Sequence, residues 1–590
     1  MDKIWDLSHI YKTQDDFEKD LSYAQEVLLK GISSFQGKLK DEKERKAYFD
    51  RERKASEVLN HLGRYASRRS DLDKKNVRNL TDLAKVENLF NEYGSQDSYS
   101  TPEILALGKE HRDGFFAKNP EYKDFDFQIE KVFRGGKFTL PVREEKLRSY
   151  FAPLQGRGAT LYSQLSVGDY VPKKVKLSSG EEVEVNRSNW TSLEGSLEKQ
   201  EDRRKVFLSL YSWYDEHKNT YGEIYNSVIQ AEISERKARG YSSVLEEHLY
   251  SNKIDESVFQ NLIKEASENA APLHKYYEIR RKFFHLDHHY SFDRFLSLAK
   301  SEKKYTYEEA KSIFFDSIKD YPTDYKEKAN DVLKEGYVDV YPRSGKRTGG
   351  YSSGSANIHP YILLNFNGDL EDVFTLAHEA GHSVHTRYSE ESQPLVKQDY
   401  TIFVAEIAST FNEHNLLDYF RKSKSLSKND KIALLQKSID QIVSTFYRQT
   451  LFAQYEWEIS QRAEKGEPIN YEVLSKERVK LYKTYYGIDI TKEELKPLVW
   501  AYIPHLFYTP FYVYQYATSF TASRLIYENF RNGEKDAFEN YLKMLKSGGS
   551  RYPIDEVKRA GVDLTKKEAF SAVTKRRKEL VDELEKLLKE

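Results

Sequence analysis

Hydrophobic positions recur mostly every three or four residues along this chain, in long segments rich in Glu, Lys, Leu, Ala and Tyr. That spacing is the period of one face of an α-helix. Only 28 Gly and 15 Pro are spread over the 590 residues, so few segments are interrupted by turns. The pattern therefore predicts a mainly α-helical protein.

Strand-like alternation is confined to two places. Residues 174–185 contain two alternating runs on either side of a Ser-Gly turn, which predicts a β-hairpin. Residues 336–341 and 360–365 are also strand-like, and a glycine-rich segment, residues 345–354, lies between them. We expect these segments to form a small sheet directly upstream of the next helix.

That next helix carries the most informative motif, since residues 378–382 read His-Glu-Ala-Gly-His. At 3.6 residues per turn, His378 and His382 project from the same side of a helix, where two imidazoles can hold one metal ion. Glu379 is offset by one residue and is placed to act as a general base on a water molecule. A chance occurrence of this motif is expected only about 0.03 times in such a chain. The alternative is a pair of surface histidines.

The surroundings of the motif favour the metal site. A Gly-Asp start signal, acidic residues in the first turn and apolar residues at helical spacing precede it. We predict an amphipathic helix from about Asp369 to Tyr388.

Composition narrows the possible functions. The formal net charge is −1, so no overall field attracts nucleic acid or an anionic membrane.

Cysteine is absent, which excludes disulfides, thiolate ligands and a cysteine nucleophile, and leaves a metal site to His and carboxylate. The first residues show no basic segment followed by an apolar run, and no stretch of about 18 apolar residues occurs. We expect a cytoplasmic protein without membrane or nucleic-acid partners.

A catalytic zinc site normally has three protein ligands and one position for water. A histidine ten residues after the first is excluded as the third ligand, because that position is Tyr388. The following helix, predicted from about Tyr400 to Phe420, carries Glu406 and Glu413 on nearly the same face. We predict Glu406 as the third ligand, because small residues around it allow close helix packing; a surface carboxylate is the alternative.

The second ring nitrogen of each zinc-bound imidazole needs an acceptor. Glu413, Asp372 or a backbone carbonyl are the candidates for that role. His385 lies on the face of His378, but the helix rise separates the two by about 10 Å, so they cannot share one ion. We expect His385 to be a hydrogen-bonded core histidine.

For two further segments the sequence predicts an ordinary structural role. His285, His288 and His289 lie next to an aspartate without ligand spacing and are expected to form a surface linker. Residues 574–590, dense in Lys, Arg and Glu, are expected to form a solvated helix.

Five segments together resemble the oligoendopeptidase F family, a group of thimet oligopeptidase-like zinc metallopeptidases. They are residues 345–355, 359–365, 378–385, 403–406 and 505–516. The resemblance extends over roughly residues 110–585. It implies His378, His382 and Glu406 as the ligands of one Zn²⁺ per chain and Glu379 as the base. It also implies a large, two-lobed helical body with a deep central groove that admits short, unstructured peptides, and a His and Tyr cluster near residue 510 that faces the zinc.

The expected organisation has three regions. They are a helical N-terminal region, residues 1–110, a smaller helical region with the hairpin, residues 111–200, and a helical catalytic region with the HExxH helix, residues 201–590. The expected function is zinc-dependent hydrolysis of internal bonds in short oligopeptides, with a zinc-bound water as nucleophile and Glu379 as base.

Candidates for stabilising the developing oxyanion are His505, Tyr508, Tyr512 and Tyr516. The tyrosines recur every four residues and are predicted to line one face of a helix, although ordinary aromatic packing is an alternative and the spacing does not single one out. Gly349, Gly350 and Tyr351 are predicted to offer an exposed strand edge to the peptide backbone, with a plain turn as the alternative.

Two other functions are compatible with the motif. A zinc carboxypeptidase-type exopeptidase uses similar ligands, but it needs a group that neutralises a chain end, and none is assigned in this sequence. A non-catalytic helical peptide-binding scaffold with a structural metal has no use for a base, so Glu379 disfavours it.

Overall fold

The computed structural model describes residues 3–299, 303–355, 357–423 and 426–590. α-Helices make up most of this part of the chain, which confirms the predicted helical class. In chain order they are α1 (Gln14–Tyr23), α2 (Lys30–Ile32), α3 (Glu42–Leu72), α4 (Val77–Asp97), α5 (Ser100–Leu107), α6 (Lys109–Lys118), α7 (Asp126–Gly135), α8 (Val142–Ser149), α9 (Ala152–Gln155), α10 (Arg157–Ser163), α11 (Trp190–Ser196), α12 (Gln200–Glu216), α13 (Lys218–Arg239), α14 (Val244–Tyr250), α15 (Glu256–Glu268), α16 (Ala271–Phe283), α17 (Tyr307–Ser317), α18 (Thr323–Val332), α19 (Leu370–Ser392), α20 (Ile402–Lys422), α21 (Lys428–Ile442), α22 (Arg448–Glu464), α23 (Tyr471–Tyr486), α24 (His505–Tyr508), α25 (Tyr514–Arg531), α26 (Ala537–Leu545), α27 (Pro553–Arg559) and α28 (Glu568–Lys589).

Two small sheets occur where alternation predicted them. β1 (Lys173–Lys176) and β2 (Glu182–Val185) form an antiparallel hairpin. β3 (Val338–Asp339), β4 (Tyr351–Ser355) and β5 (Ile358–Leu363) form a sheet in the order β3-β5-β4. β5 is parallel to β3 and antiparallel to β4, so β4 is an edge strand of this sheet.

The chain divides into two compact units. The first unit contains Met1–Lys137, Lys303–Lys422 and Ser523–Val562, and the second unit contains Phe138–Glu302, Ser423–Ala522 and Asp563–Glu590. Each unit is assembled from separate stretches of chain. The three sequence-based regions, residues 1–110, 111–200 and 201–590, stay a prediction.

In the first unit, β4 has a different helix on each face. The Ser352 hydroxyl lies 2.7 Å from that of Ser383 on α19. The neighbouring Ser353 hydroxyl accepts a 2.6 Å hydrogen bond from Arg64 on α3. Because successive side chains of a strand point to opposite faces, α19 covers one face of β4 and α3 the other. β4 is thereby held against the helix that carries the HExxH motif.

In the second unit, the C-terminal helix differs from its prediction. α28 is helical as expected, but Leu580, Val581 and Leu584 are fully buried, so the expectation of a solvated helix is wrong for that face. Apolar residues one turn apart form a stripe that packs inward despite the surrounding charges. Its Arg577 is also buried and donates to the carbonyl of Asn269 at 2.7 Å.

The prediction that His285, His288 and His289 lie in a surface linker is wrong for His289. His289 is only 5% exposed and packs on Tyr277 and Arg280. Within the described residues, none of the helices combines the length and the apolar character that a membrane crossing requires. The cytoplasmic location stays a prediction.

Candidate metal centre

The HExxH residues lie in the middle of α19, whose start is set by its sequence. Asp369 is the N-cap residue, and it forms a capping box with Asp372. The Asp372 carboxylate accepts from the backbone amides of Asn367 and Asp369 at 2.8 and 3.0 Å. Asp372 is therefore used in capping and is not the acceptor for a metal-binding imidazole. The helix ends at Ser392, four residues beyond the predicted end.

Gly381 allows α19 and α20 to approach closely. A Cβ atom added at Gly381 would lie 2.5 Å from the carbonyl oxygen of Ala408 and 2.7 Å from the Cα of Ser409. Both contacts are with backbone atoms, which cannot rotate away. The glycine inside the motif thus brings the second helix, and Glu406 with it, next to the two histidines.

His378, His382 and Glu406 converge on one point. Their Nε2 and Oε2 atoms are separated by 3.2 Å (His378 to His382), 3.4 Å (His378 to Glu406) and 3.6 Å (His382 to Glu406). Ligands held at about 2.0 Å from a tetrahedral metal are about 3.3 Å from one another. The three side chains therefore fit a divalent metal ion as its protein ligands.

Neighbouring groups orient each of the three side chains. The Nδ1 atom of His378 lies 2.5 Å from Oε1 of Glu413, and His382 hydrogen-bonds to the backbone of Ala405. The Ser409 hydroxyl donates to Oε2 of Glu406 at 3.1 Å. Glu413 and a backbone group were expected in such roles, whereas Ser409 was not; its position one turn after Glu406 was the available signal.

The local charges act strongly on the two histidines. Burial would lower the pKa of His378, but the carboxylates of Glu413, Glu379 and Glu406, with Glu413 the strongest, together raise it to about 10. Burial lowers the pKa of His382 to about 4. The two imidazoles therefore differ in their tendency to hold a proton, although they are equivalent in the sequence motif.

Glu379 directly follows His378 on α19 and lies near the convergence point. Its side chain is largely buried, and its Oε2 atom has no hydrogen-bond partner among the described residues. Burial raises the pKa of Glu379 to about 7, against the opposing effect of His378. A carboxyl group of this kind can both accept and return a proton near neutral pH.

Gly349 and Gly350 directly precede β4 and do not belong to it, and their predicted pairing with a peptide backbone stays a prediction. A Cβ atom at Gly350 would lie 3.0 Å from Cγ2 of Thr375 and 3.5 Å from Oε1 of Glu379. Tyr351 begins β4, and its hydroxyl donates to Asp71 at 2.6 Å. The glycines therefore keep space open beside Glu379, whereas the Tyr351 hydroxyl is engaged within the first unit.

A polar cavity of about 150 Å³ lies at the other end of β4. Ser353, Gly354, Thr386 and Tyr400 are among the residues that line it. β4 therefore runs alongside α19, with Glu379 near the start of β4 and this cavity near its end.

The predicted tyrosine stripe is not a single helical face. α24 ends at Tyr508, Thr509 has a φ of −146° and a ψ of 71° before Pro510, and Phe511 has a φ of 53°. A residue that precedes proline is disfavoured in the α region, which accounts for the break. The prediction that one helix carries all three tyrosines is therefore wrong.

The second unit nevertheless brings some of these side chains together. The ring centroids of Tyr512 and Tyr516 are 5.6 Å apart, and those of His505 and Tyr516 are 6.5 Å apart. Tyr508 instead packs edge-on against Tyr162. All four residues belong to the second unit, whereas the metal-binding group belongs to the first. Their catalytic roles stay predictions.

His385 is buried, as expected, and its ring stacks on Tyr400 at 3.6 Å. Its Nδ1 atom has no hydrogen-bond partner among the described residues, so the expected hydrogen bond is absent at that nitrogen. Burial lowers the pKa of His385 to about 3. It is a core histidine and lies outside the metal-binding group.

Comparisons with known proteins identify the family of this chain. A family model described as Peptidase family M3 matches residues 195–575, and one described as Oligopeptidase F matches residues 103–171. Oligopeptidase PepF of Bacillus subtilis is 33% identical over 99% of this chain and 87% of its own length. An oligoendopeptidase F homolog of Borreliella burgdorferi is 35% identical over 95% of this chain and 94% of its own length.

A solved structure shows the same fold. The crystal structure of oligoendopeptidase-F from Enterococcus faecium superimposes with a TM-score of 0.77 at 26% identity, covering 98% of this chain and 99% of that one. The fold and the site define a helical metallo-endopeptidase. The chain belongs to peptidase family M3, within the group of oligoendopeptidase F proteins.

Proposed function

We propose that this protein is a zinc-dependent endopeptidase that hydrolyses internal bonds of short, unstructured oligopeptides. The observation that carries the proposal is the convergence of His378, His382 and Glu406 at spacings that match tetrahedral coordination, with Glu379 adjacent. A structural metal site has no use for a buried carboxyl group beside it.

The three converging side chains supply two imidazole nitrogens and one carboxylate oxygen, a donor set typical of catalytic zinc. When bound, zinc polarises a carbonyl group and lowers the pKa of a water molecule. Glu413 and Ser409 keep His378 and Glu406 oriented toward the ion. In this proposal the chain binds one Zn²⁺.

Glu379 is the general base in this proposal. Its carboxyl group takes a proton from the attacking water and returns it to the leaving amine. A pKa near 7 suits both transfers, because neither the protonated nor the ionised form is strongly disfavoured at neutral pH.

The substrate is proposed to bind along β4. The edge strand offers backbone groups for pairing with an extended peptide, which gives affinity with little sequence preference. Gly350 leaves room for a backbone next to Glu379, and the cavity near Thr386 can accept a side chain. An extended chain is required for such pairing, which favours short unstructured peptides.

For the group that stabilises the oxyanion we retain His505, Tyr508, Tyr512 and Tyr516 as candidates. The contacts among His505, Tyr512 and Tyr516 favour these three over Tyr508.

The test uses the purified protein and a peptide blocked at both ends. We expect cleavage at an internal bond, and Glu379→Gln is expected to lower the turnover by about 10²–10⁴-fold with the zinc content per chain unchanged. Glu371→Gln, an exposed change on the same helix, is the control and should leave turnover intact. Undiminished turnover in Glu379→Gln would refute the mechanism. Failure of the wild type to cut the blocked peptide would favour the exopeptidase alternative.

A further inference from the structure

The interior of the second unit contains a row of cations on shared aromatic rings. The guanidinium carbons of Arg448 on α22 and Arg478 on α23 each lie 5.3 Å from the ring centre of Phe452. Arg478 and the Nζ atom of Lys496 lie 5.2 and 5.0 Å from the ring centre of Tyr482. Three positive side chains thus follow one another across two rings.

These three side chains are buried or half-buried. Arg478 is 5% exposed and Lys496 is 1% exposed. Among the described residues, no ion pair and no hydrogen bond is formed by the side chains of Arg448, Arg478 or Lys496, and the Nε atom of Arg478 is buried without a partner. Burial of an unpaired charge is costly, so a folded protein normally provides an anion for it.

The nearby acids do not balance this charge. Burial raises the pKa of Glu194 well above its usual value, and neither of its carboxyl oxygens has a partner in the described structure. Glu493 is buried and accepts from the amide of Ser291 at 3.1 Å. Burial lowers the pKa of Lys496 well below its usual value, and the charge of a fourth cation, Arg294, lowers it further. Neither acid forms an ion pair or a hydrogen bond with the three basic side chains in the described structure.

We propose that Arg448, Arg478 and Lys496 form an internal site for a small oxyanion, a carboxylate or a phosphate. Guanidinium groups match the paired oxygens of such ions, and Lys496 adds a compact charge. Leu495, directly before Lys496, has a φ of 62°, a strained conformation for a leucine that fixes where Lys496 enters the interior. Arg448 is half-buried and is therefore the least enclosed of the three.

The oxyanion has two possible sources. It is a free ion such as phosphate, or it is a carboxylate of the bound peptide. The charge of Arg448 acts on His505, whose pKa is lowered by burial and then by this arginine. The site therefore lies close to a residue that the sequence assigns to catalysis. The peptide source rests on the proposed function, whereas the free-ion source does not.

The first experiment measures thermal unfolding of the full-length protein with inorganic phosphate or with sodium chloride at equal ionic strength. Phosphate at about ten times its dissociation constant should raise the Tm by about 1–2 °C, in a saturable manner. Arg448→Gln and Lys496→Met should each abolish this response. Lys496→Met should also raise the Tm without phosphate, because it replaces a buried amine that has no polar partner with an apolar side chain of similar length.

Arg462→Gln is the matched control, since Arg462 lies on the same helix but pairs with Glu467 and Glu477 at 3.0 and 3.3 Å. It should retain the phosphate response. If Lys496→Met does not fold, the half-buried Arg448→Gln decides the question.

The second experiment compares cleavage of one peptide with a free or an amidated C-terminus. If the peptide supplies the carboxylate, amidation should raise KM by about tenfold in the wild type and leave it unchanged in Arg448→Gln. If phosphate stabilises the wild type but not the variants, the oxyanion is a free ion. If amidation raises KM in the wild type but not in Arg448→Gln, the oxyanion is the peptide carboxylate. The proposal is overturned if the wild type shows neither effect, or if Arg448→Gln retains both. An inactive peptidase with an intact phosphate response would defeat the proposed function alone.

Discussion

The two ring nitrogens of His378, on α19, face two acids that both lie on α20. Nδ1 lies 2.5 Å from Oε1 of Glu413, and Nε2 lies 3.4 Å from Oε2 of Glu406. The seven-residue spacing of the acids on α20 places both on the side that meets α19. One helix therefore carries the proposed third metal ligand and also the acid that orients His378.

Loss of Glu413 should weaken metal binding without removing a ligand. We expect Glu413→Ala to lower the metal affinity by about 10–100-fold, because the imidazole of His378 loses the acceptor that fixes its orientation. A competition titration with a chromophoric chelator measures this affinity. Glu391→Ala, an exposed change on α19, should bind metal as the wild type does. Equal affinities for the wild type and Glu413→Ala would contradict this role.

Substitution of Gly381 should separate the two metal-binding helices. In Gly381→Ala the new Cβ atom meets backbone atoms of Ala408 and Ser409 at 2.5 and 2.7 Å. We expect a loss of about 1–3 kcal/mol of stability and weaker metal binding, because Glu406 moves away from the histidines. Thermal unfolding and metal titration report the two effects.

The control for this variant is Gly94→Ala in the interior of α4, where a Cβ atom would meet nothing within 4 Å. That change should be neutral or stabilising by up to about 1 kcal/mol. A Gly381→Ala protein as stable as this control would show that the helices do not need the glycine.

Removal of the metal should destabilise the first unit. A metal at about 1,000 times its dissociation constant contributes about 4 kcal/mol, and a chelator removes that contribution. Hydrogen exchange should rise in α19 and α20, because the ion links these helices. Glu406→Ala should respond far less to the chelator. The same exchange pattern with and without metal in the wild type would exclude a link of this kind.

The pair formed by Arg203 and Asp293 should be sensitive to loss of one partner. The two groups are 2.8 Å apart, and both are fully buried in the second unit. Arg203→Met should cost about 3–5 kcal/mol, because it leaves an unpaired carboxylate, and the double variant Arg203→Met/Asp293→Leu should recover part of this loss. The exposed neighbour Arg204 pairs with Glu494, and Arg204→Met should cost less than about 1 kcal/mol. Similar losses in both single variants, measured by urea unfolding, would be inconsistent with this view.

Glu456 should make the second unit less stable in alkali. It accepts from the amide of Phe511 at 2.9 Å, and burial raises its pKa to about 8. Because the folded-state pKa lies above the unfolded value, the contribution is complete below about pH 4.5 and is lost as the pH rises through 8. Glu456→Gln should reduce the loss of stability between pH 6 and 8.5 by about 1–3 kcal/mol. Unfolding midpoints at both pH values test this, and an unchanged difference would count against it.

The sequence by itself determined the features that depend on neighbouring residues. Apolar spacing predicted α19 and α20 to within a few residues, and alternation predicted both small sheets. The HExxH spacing placed His378 and His382 on one side of a helix, and the seven-residue interval predicted that Glu406 and Glu413 share a face. These relationships are local, because helix and strand periods act over one or two turns.

Only the tertiary structure decided how distant segments meet. It selected Glu413 over Asp372 as the partner of His378, because Asp372 caps its own helix. The tyrosine stripe ended at Pro510, where a backbone preference outweighed the four-residue spacing. Arg478 and Lys496 carry no sequence signal of burial, and their position depends on rings and backbone from other elements. Residue spacing describes one element at a time, whereas the burial and partner of a charge follow from the packing of several.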